Sequence, residues 1–276
     1  MTSHGTPAGP VRAAHDAGTA VTRSAPFEWL ARAGFAARGL IYVIIGVLAL
    51  KLAVGVGGKT TNQQGALRTI AHQPFGRALL LVVAIGLGGY ALWRIVRAAL
   101  GQRGDSGLDR VSALASGLVY GGMCLIAVKL LVGAKPSTSA NPHKATAGVF
   151  GWPAGTWLVG IAGAVLIGVG LYQGYRGLSR DFLDDSKTGQ MSPTVRRWFE
   201  RLGVFGYVAR MVVFGLIGVF LIKAAKDFNA KAAIGLDGAL AKLAHQSYGH
   251  LLLGVVAAGL IAFGLYSLAD ARYRKI

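Results

Sequence analysis

Apolar residues come in six runs, at about 34–54, 76–98, 111–133, 155–175, 203–225 and 249–269, divided by shorter polar or basic stretches. Each run is near the ~20 residues that an α-helix needs to cross ~30 Å of hydrocarbon. The pattern predicts an all-α, polytopic membrane protein of six transmembrane helices. Because the number is even, both termini fall on one side, and successive runs pair as three tandem helical hairpins inserted in the same sense.

The polar stretches carry an internal repeat. Gly65-Ala66-Leu67-Arg68-Thr69-Ile70-Ala71-His72-Gln73-Pro74-Phe75-Gly76 returns as Gly238-Ala239-Leu240-Ala241-Lys242-Leu243-Ala244-His245-Gln246-Ser247-Tyr248-Gly249, with seven of twelve positions identical. The match extends outward, so that Arg38 and Lys51 correspond to Arg210 and Lys223 at one offset of 172. A middle copy is fainter: Gly117, Tyr120 and Lys129 stand for Gly39, Tyr42 and Lys51, and Gly155 and Tyr172 stand for Gly76 and Trp93. That copy has Ser116 in place of the arginine and Gly151 in place of the histidine. Repeats of this size are supersecondary units that pack on their neighbours. Three such units can be arranged about a pseudo-threefold axis normal to the membrane. The units predicted are a disordered tail over 1–26, hairpins over 27–100 and 101–182, and a linker with the third hairpin over 183–276. Residues 27–33, with Trp29 and the Glu28/Arg32 pair at i,i+4, read as a short amphipathic lead-in at headgroup level.

Three hairpins, the Gly-Ala-Leu and Ala-His-Gln outer loop and the Arg- and Lys-bracketed odd helices resemble a family of bacterial inner-membrane proteins, common in actinobacteria. It is defined only as a domain of unknown function present in three tandem copies. The resemblance covers about residues 27–273 and implies a six-helix bacterial membrane protein. It brings no catalytic residue with it.

Composition agrees with the apolar pattern: 53% of residues are hydrophobic and 14% charged, too few charges to clothe a soluble domain of this size. The net charge of +18 is carried at the ends of the apolar runs rather than on a basic helix or an RNA-reading motif, so anionic lipid headgroups, not nucleic acid, are the expected partner. Of the 29 cations, 18 lie on the side of the termini and 11 on the other. By the positive-inside rule this places both termini in the cytoplasm and the protein in the bacterial inner (plasma) membrane. The lone Cys124 can form neither an intramolecular disulfide nor a paired metal site, and reads as packing.

Candidate chemistry is sparse. His72 and His245 recur at one repeat position, but no Cys, Asp or Glu stands beside either, so a metal site lacks the ligands it needs. Lys51, Lys129 and Lys223 are held in all three copies and could ring a path for an anion; the alternative is that each snorkels to the outer headgroups. Helical phase favours snorkelling, because Phe35, Gly39, Tyr42 and Gly46 share a face that Lys51 leaves at ~100° per residue. Arg38 and Arg210 lie within the spans, where a charge needs a partner. Glu28 and Glu200 stand ten residues earlier in the two copies that carry the arginine, and the middle copy has Ser106 there, which suggests that each Glu pairs with an Arg, within a repeat or between the first and the third, against separate snorkelling in the headgroups. No hydrolase, metalloprotease, nucleotide-binding or dinucleotide motif is present. The sequence therefore predicts a non-enzymatic membrane module without a cofactor, one that packs helices or recruits a protein partner it does not identify. The alternative is a small-solute or ion transporter or channel, an anion being one candidate cargo.

Overall fold

The computed structural model describes residues 25–100, 107–134 and 142–275. Of the tail expected over 1–26, residues 1–24 lie outside the described residues. Six long apolar helices are present: α1 (Ala25–Ala53), α3 (Gly76–Leu100), α4 (Gly107–Leu131), α6 (Gly155–Leu178), α7 (Pro193–Lys226) and α9 (Gly249–Tyr273). Their outward faces expose Leu81, Val82, Leu118, Val119, Ile161 and Val165, side chains that aggregate in water and are at home in lipid. The chain is a multi-pass membrane protein.

Three short helices join the long ones at the end of the bundle away from the 181–192 linker: α2 (Gln63–Ala71), α5 (Pro142–Phe150) and α8 (Leu236–Ala244). The sequence suggests loops there. Nine residues give too short a periodic signal, yet Ala66, Leu67 and Ile70 fall on one face and are buried, as are Ala239, Leu240 and Leu243. Asn62 caps α2 by accepting from the Gly65 N–H at 3.0 Å. The lead-in over 27–33 likewise departs from expectation, because it continues without a break into α1.

Gly76, Gly155 and Gly249 each begin the second long helix of their repeat, as the matched spacing predicts. The reason is backbone contact with the end of the preceding short helix. A Cβ on Gly76 would meet the Ile70 carbonyl at 2.4 Å, one on Gly155 the Val149 carbonyl at 1.9 Å, and one on Gly249 the Ala244 carbonyl at 2.0 Å. Gly155→Ala should therefore lose about 1–3 kcal/mol, the usual range for overpacking. A thermal melt in detergent checks this, and an unchanged midpoint would refute the contact.

The six long helices form a ring in which each repeat packs on the next: α3 on α4, α6 on α7, and α9 back on α1. These three interfaces are equivalent. Gly39 packs against Gly264, Gly117 against Ala91, and Met211 against Gly170, all at one repeat position. One helical turn or two further on, Gly46 meets Ala257, Cys124 Sγ donates to the Ala84 carbonyl at 3.3 Å, and Gly218 meets Gly163. Small residues let the backbones approach, which matters where no hydrophobic force drives helices together. Cyclic contacts of this kind are those of a pseudo-threefold arrangement.

Within repeats the symmetry breaks. Phe35, Tyr90 and Trp93 clasp α1 to α3, with ring centroids 5.1, 5.8 and 5.5 Å apart. The corresponding Tyr207, Phe263 and Tyr266 clasp α7 to α9 at 5.6, 5.8 and 5.9 Å. The middle copy puts Ala113 and Val169 at two of these positions, and among the described residues α4 and α6 barely touch. Tyr172, the third position, is 59% exposed, whereas Trp93 and Tyr266 are buried. The middle hairpin has opened, with α4 staying on the first repeat and α6 on the third.

Candidate functional site

Arg38 lies one helical turn from Phe35 and from Tyr42, on the face of α1 that packs inward. Its guanidinium carbon stands 4.9 Å from the Phe35 ring centre and 5.3 Å from that of Phe263. Arg210, its counterpart on α7, stands over Phe263 at 4.4 Å, Phe214 at 5.2 Å and Tyr42 at 5.5 Å. Sharing the Phe263 ring holds the two charges closer than the sum of their distances to it. Tyr120 of α4 is within electrostatic reach of both. The first and third repeats thus each place an arginine on the Phe263 ring, and the middle repeat contributes Tyr120, which packs on Tyr90 at 4.6 Å.

Arg38 is anchored. Its Nη1 donates to the Tyr90 hydroxyl at 3.5 Å, an oxygen that also accepts from Arg94 Nε at 3.0 Å. Its Nη2 lies 3.9 Å from Asp270 Oδ2. Asp270 is fully buried, accepts from Ser186 Oγ at 3.0 Å, and pairs with Arg274 at 3.4 Å. Arg274 reaches Asp185 at 3.0 Å, and Asp185 pairs in turn with Arg176. The result is an alternating chain, Arg176, Asp185, Arg274, Asp270, Arg38, running from the inner end into the bundle. Burial alone would raise the Asp185 carboxyl, but Arg274 and Arg176 hold it below the ordinary carboxylate range. With its folded pKa depressed, Asp185 stabilises the fold above its unfolded pKa, and that contribution fades as pH falls through the folded value.

Arg210 stands outside this chain. Among the described residues no carboxylate lies within ion-pair distance of it, and its Nε–H is buried without an acceptor, as is that of Arg38. Rings cover the faces of its guanidinium by cation–π contact. Its Nε–H, which lies in the guanidinium plane, stays unmatched among the described residues.

The expected glutamate pairs do not form. Glu28 binds Arg32, which donates from Nε at 3.1 Å, and Glu200 binds Arg180 at 3.0 Å. Glu28 and Arg38 lie on one unbroken helix, as do Glu200 and Arg210, and ten residues along a helix separate them by ~15 Å. The hydrogen bond from Arg32 lowers the Glu28 carboxyl below its ordinary range. Arg32 also donates to the Ala271 carbonyl at 2.7 Å, beside a groove of about 820 Å³ lined by Trp29, Gln190 and Arg272.

Lys51, Lys129 and Lys223 lie in the last turns of α1, α4 and α7, beside the short helices, and are all exposed, which matches snorkelling and gives no inward ring. His72 and His245 are the exposed C-caps of α2 and α8, and their backbone N–H groups bond Arg68 and Ala241 carbonyls at 3.2 Å in both copies. Their symmetry is that of a cap. Among the described residues no three metal-binding side chains converge.

Asp270 is the functional residue that reading by sequence spacing misses. A signal for it exists: counting 21 residues from Gly76, Gly155 and Gly249 gives Arg97, Arg176 and Asp270, the one repeat position where the sign of the charge inverts.

The comparisons with known proteins agree with the threefold pattern. A relative from Bacillus subtilis (strain 168), described as "Uncharacterized protein YxxB", is 33% identical over 250 residues, which cover 89% of this chain and 90% of the relative. No solved structure matches. The family described as Domain of Unknown Function (DUF1206) matches residues 33–101, 111–180 and 205–274, one copy for each pair of long helices. The chain, with its three matched copies and a relative alike over nearly its whole length, belongs to that family.

Proposed function

We propose that this is a non-enzymatic protein of the bacterial plasma membrane that binds an anionic group between Arg38 and Arg210. Arg210 carries the reading. It lies seven residues inside the apolar run 203–225, ~10 Å along the helix, where an arginine costs ~2.5–3.5 kcal/mol even on the gentler insertion scale. Three aromatic rings offset part of that cost, at roughly 0.5–2 kcal/mol each. Its buried Nε–H has no protein acceptor among the described residues, and buried donors of that kind normally have one. With Arg176, Arg274, Arg38 and Arg210 facing only Asp185 and Asp270, the cluster carries an excess of positive charge that an anion would neutralise. A phosphate or carboxylate suits guanidinium forks of this geometry.

Binding is favoured over conduction because the conserved-position lysines turn away from the centre and line no path. The cation asymmetry supports cytoplasmic termini, which puts the arginine level in the cytoplasmic half of the bilayer. Anionic headgroups are then the partner at hand.

Thermal stability in neutral detergent tests the reading. Inorganic phosphate, sn-glycerol 3-phosphate and phosphatidylglycerol are added separately to the wild type and to Arg210→Gln. At least one of them should raise the wild-type midpoint, by the linkage that makes a ligand at 100 times its Kd worth ~2.7 kcal/mol, and should leave the variant unmoved. Equal shifts in both proteins, or none in the wild type, would sink it.

A further inference from the structure

The broken clasp of the middle repeat gives the site a side entrance, and we infer that the gap between α4 and α6 admits an anionic phospholipid whose phosphate is held by Arg210 and Arg38. This rests on the anion-binding reading above and adds the class of ligand and its route.

Three observations favour the side over either end. At the inner end the linker over 181–192 is fastened across the bundle. Phe182 is buried against Phe199, Tyr207 and Tyr266, Lys187 donates its backbone N–H to the Tyr273 carbonyl at 2.7 Å, and Asp185 holds Arg274. At the outer end α2 and α8 bury Leu67, Ile70, Leu240 and Leu243 over the long helices. At the side, among the described residues α4 and α6 are the one pair of neighbouring long helices that barely touch.

The gap opens at the level of the arginines. Val169 stands where Tyr90 and Phe263 stand in the other copies, and those two residues reach across their own hairpins to Phe35 and Tyr207 at 5.1 and 5.6 Å. Val169 faces only Ala113 at the equivalent position of α4, two side chains too short to make that clasp, and is 39% exposed. Arg210, Phe214 and Tyr120 are part-exposed, whereas Tyr42, the first-repeat counterpart of the two aromatic residues, is buried, and a Cβ on Gly215 or on Gly168 would meet open space. The walls of the gap are apolar and lead from the bilayer to an uncompensated cation. That is the sequence of environments along a phospholipid, from acyl chain to phosphate. A free anion would instead have to pass the fastened inner end.

The chemistry is binding alone, with no bond made or broken. A phosphate diester presents two unesterified oxygens, enough for one N–H of each arginine, and a neutral headgroup such as phosphatidylcholine brings its own cation against them.

The test uses the full chain in nanodiscs of phosphatidylcholine, titrated with phosphatidylglycerol of the same chain length and read by native mass spectrometry after release into neutral detergent. In parallel, sn-glycerol 3-phosphate is titrated against the detergent-purified protein. The expected result is retained phosphatidylglycerol, no retained phosphatidylcholine above background, and glycerol phosphate binding weaker by about tenfold or more, since it lacks the chains that occupy the gap. Val169→Trp should fill the gap, reducing lipid retention about tenfold while leaving glycerol phosphate affinity within twofold. Val169→Phe, which copies Phe263, serves if the larger ring disturbs folding. Arg210→Lys should keep part of the binding that Arg210→Gln loses. Lateral lipid entry is overturned if glycerol phosphate binds as tightly as the lipid, or if both gap-filling variants fold and retain lipid like the wild type. If none of these anions binds, the anion-binding reading itself fails.

Discussion

Asp270→Ala should be the most damaging single substitution in the chain, costing about 3–5 kcal/mol, the range for breaking a buried ion pair by removing one partner. Asp270 is fully buried and is shared by Arg38 and Arg274, so its loss leaves two guanidinium groups facing one another across an apolar bundle. It also strands the Ser186 hydroxyl, whose hydrogen bond to Asp270 Oδ1 helps fasten the linker to the end of α9. Asn in place of Asp keeps the shape and loses the charge, so Asp270→Asn should lose somewhat less. The informative variant is Arg38→Gln in the Asp270→Asn background. If the two groups are coupled, the double variant is more stable than the sum of single losses by about 0.5–3 kcal/mol. Thermal melts of the four proteins in one detergent decide it. Strict additivity would show that Asp270 serves Arg274 alone. Glu28→Ala, by contrast, should combine additively with Arg38→Ala, since Glu28 is held by Arg32.

How far the structure is legible in the sequence depends on the range of the interaction. The six spans, the three repeats and the matched glycines at helix starts are properties of composition and spacing, and they can be read directly. The inward face of α1 is legible too, because Phe35, Gly39, Tyr42 and Gly46 share one helical phase. Partners of charges were not. Arg38 lies next to Glu28 in sequence and next to Asp270 in space, because the ring closes by bringing the last helix onto the first. A search along the chain finds the near acid and misses the far one. Ala113 and Val169 pose the same difficulty. Each is an unremarkable apolar residue in a span, and only the contacts made by Phe35 with Tyr90 and by Tyr207 with Phe263 show that an aromatic clasp is missing from the middle copy. The short helices α2 and α8 escaped detection because nine residues hold barely two turns of periodicity.

The second large effect expected lies at the interface between α3 and α4, where knob and hole are exchanged relative to the other two interfaces. Gly46 on α1 faces Ile261 on α9, and Gly218 on α7 faces Ile167 on α6; a Cβ on either glycine would lie 2.6 or 2.7 Å from the facing isoleucine Cγ1. At the same repeat positions the middle interface has Cys124 facing Gly88, and a Cβ on Gly88 would come 3.2 Å from Cys124 Sγ. One side chain fits between the helices, supplied from the second helix in two interfaces and from the first in the third. Gly88→Ile alone should overpack and cost about 1–3 kcal/mol. Cys124→Gly alone should cost ~1 kcal/mol or more, from the glycine in mid-helix and the space left behind. Made together, Cys124→Gly and Gly88→Ile recreate the arrangement of the other two interfaces, so the double variant should be more stable than Gly88→Ile and show a coupling of about 1 kcal/mol or more. Melting all four proteins in the same detergent measures that coupling. Losses that merely add would mean that the three interfaces are alike in sequence register but not in packing, and the pseudo-threefold account of the ring would fall with them.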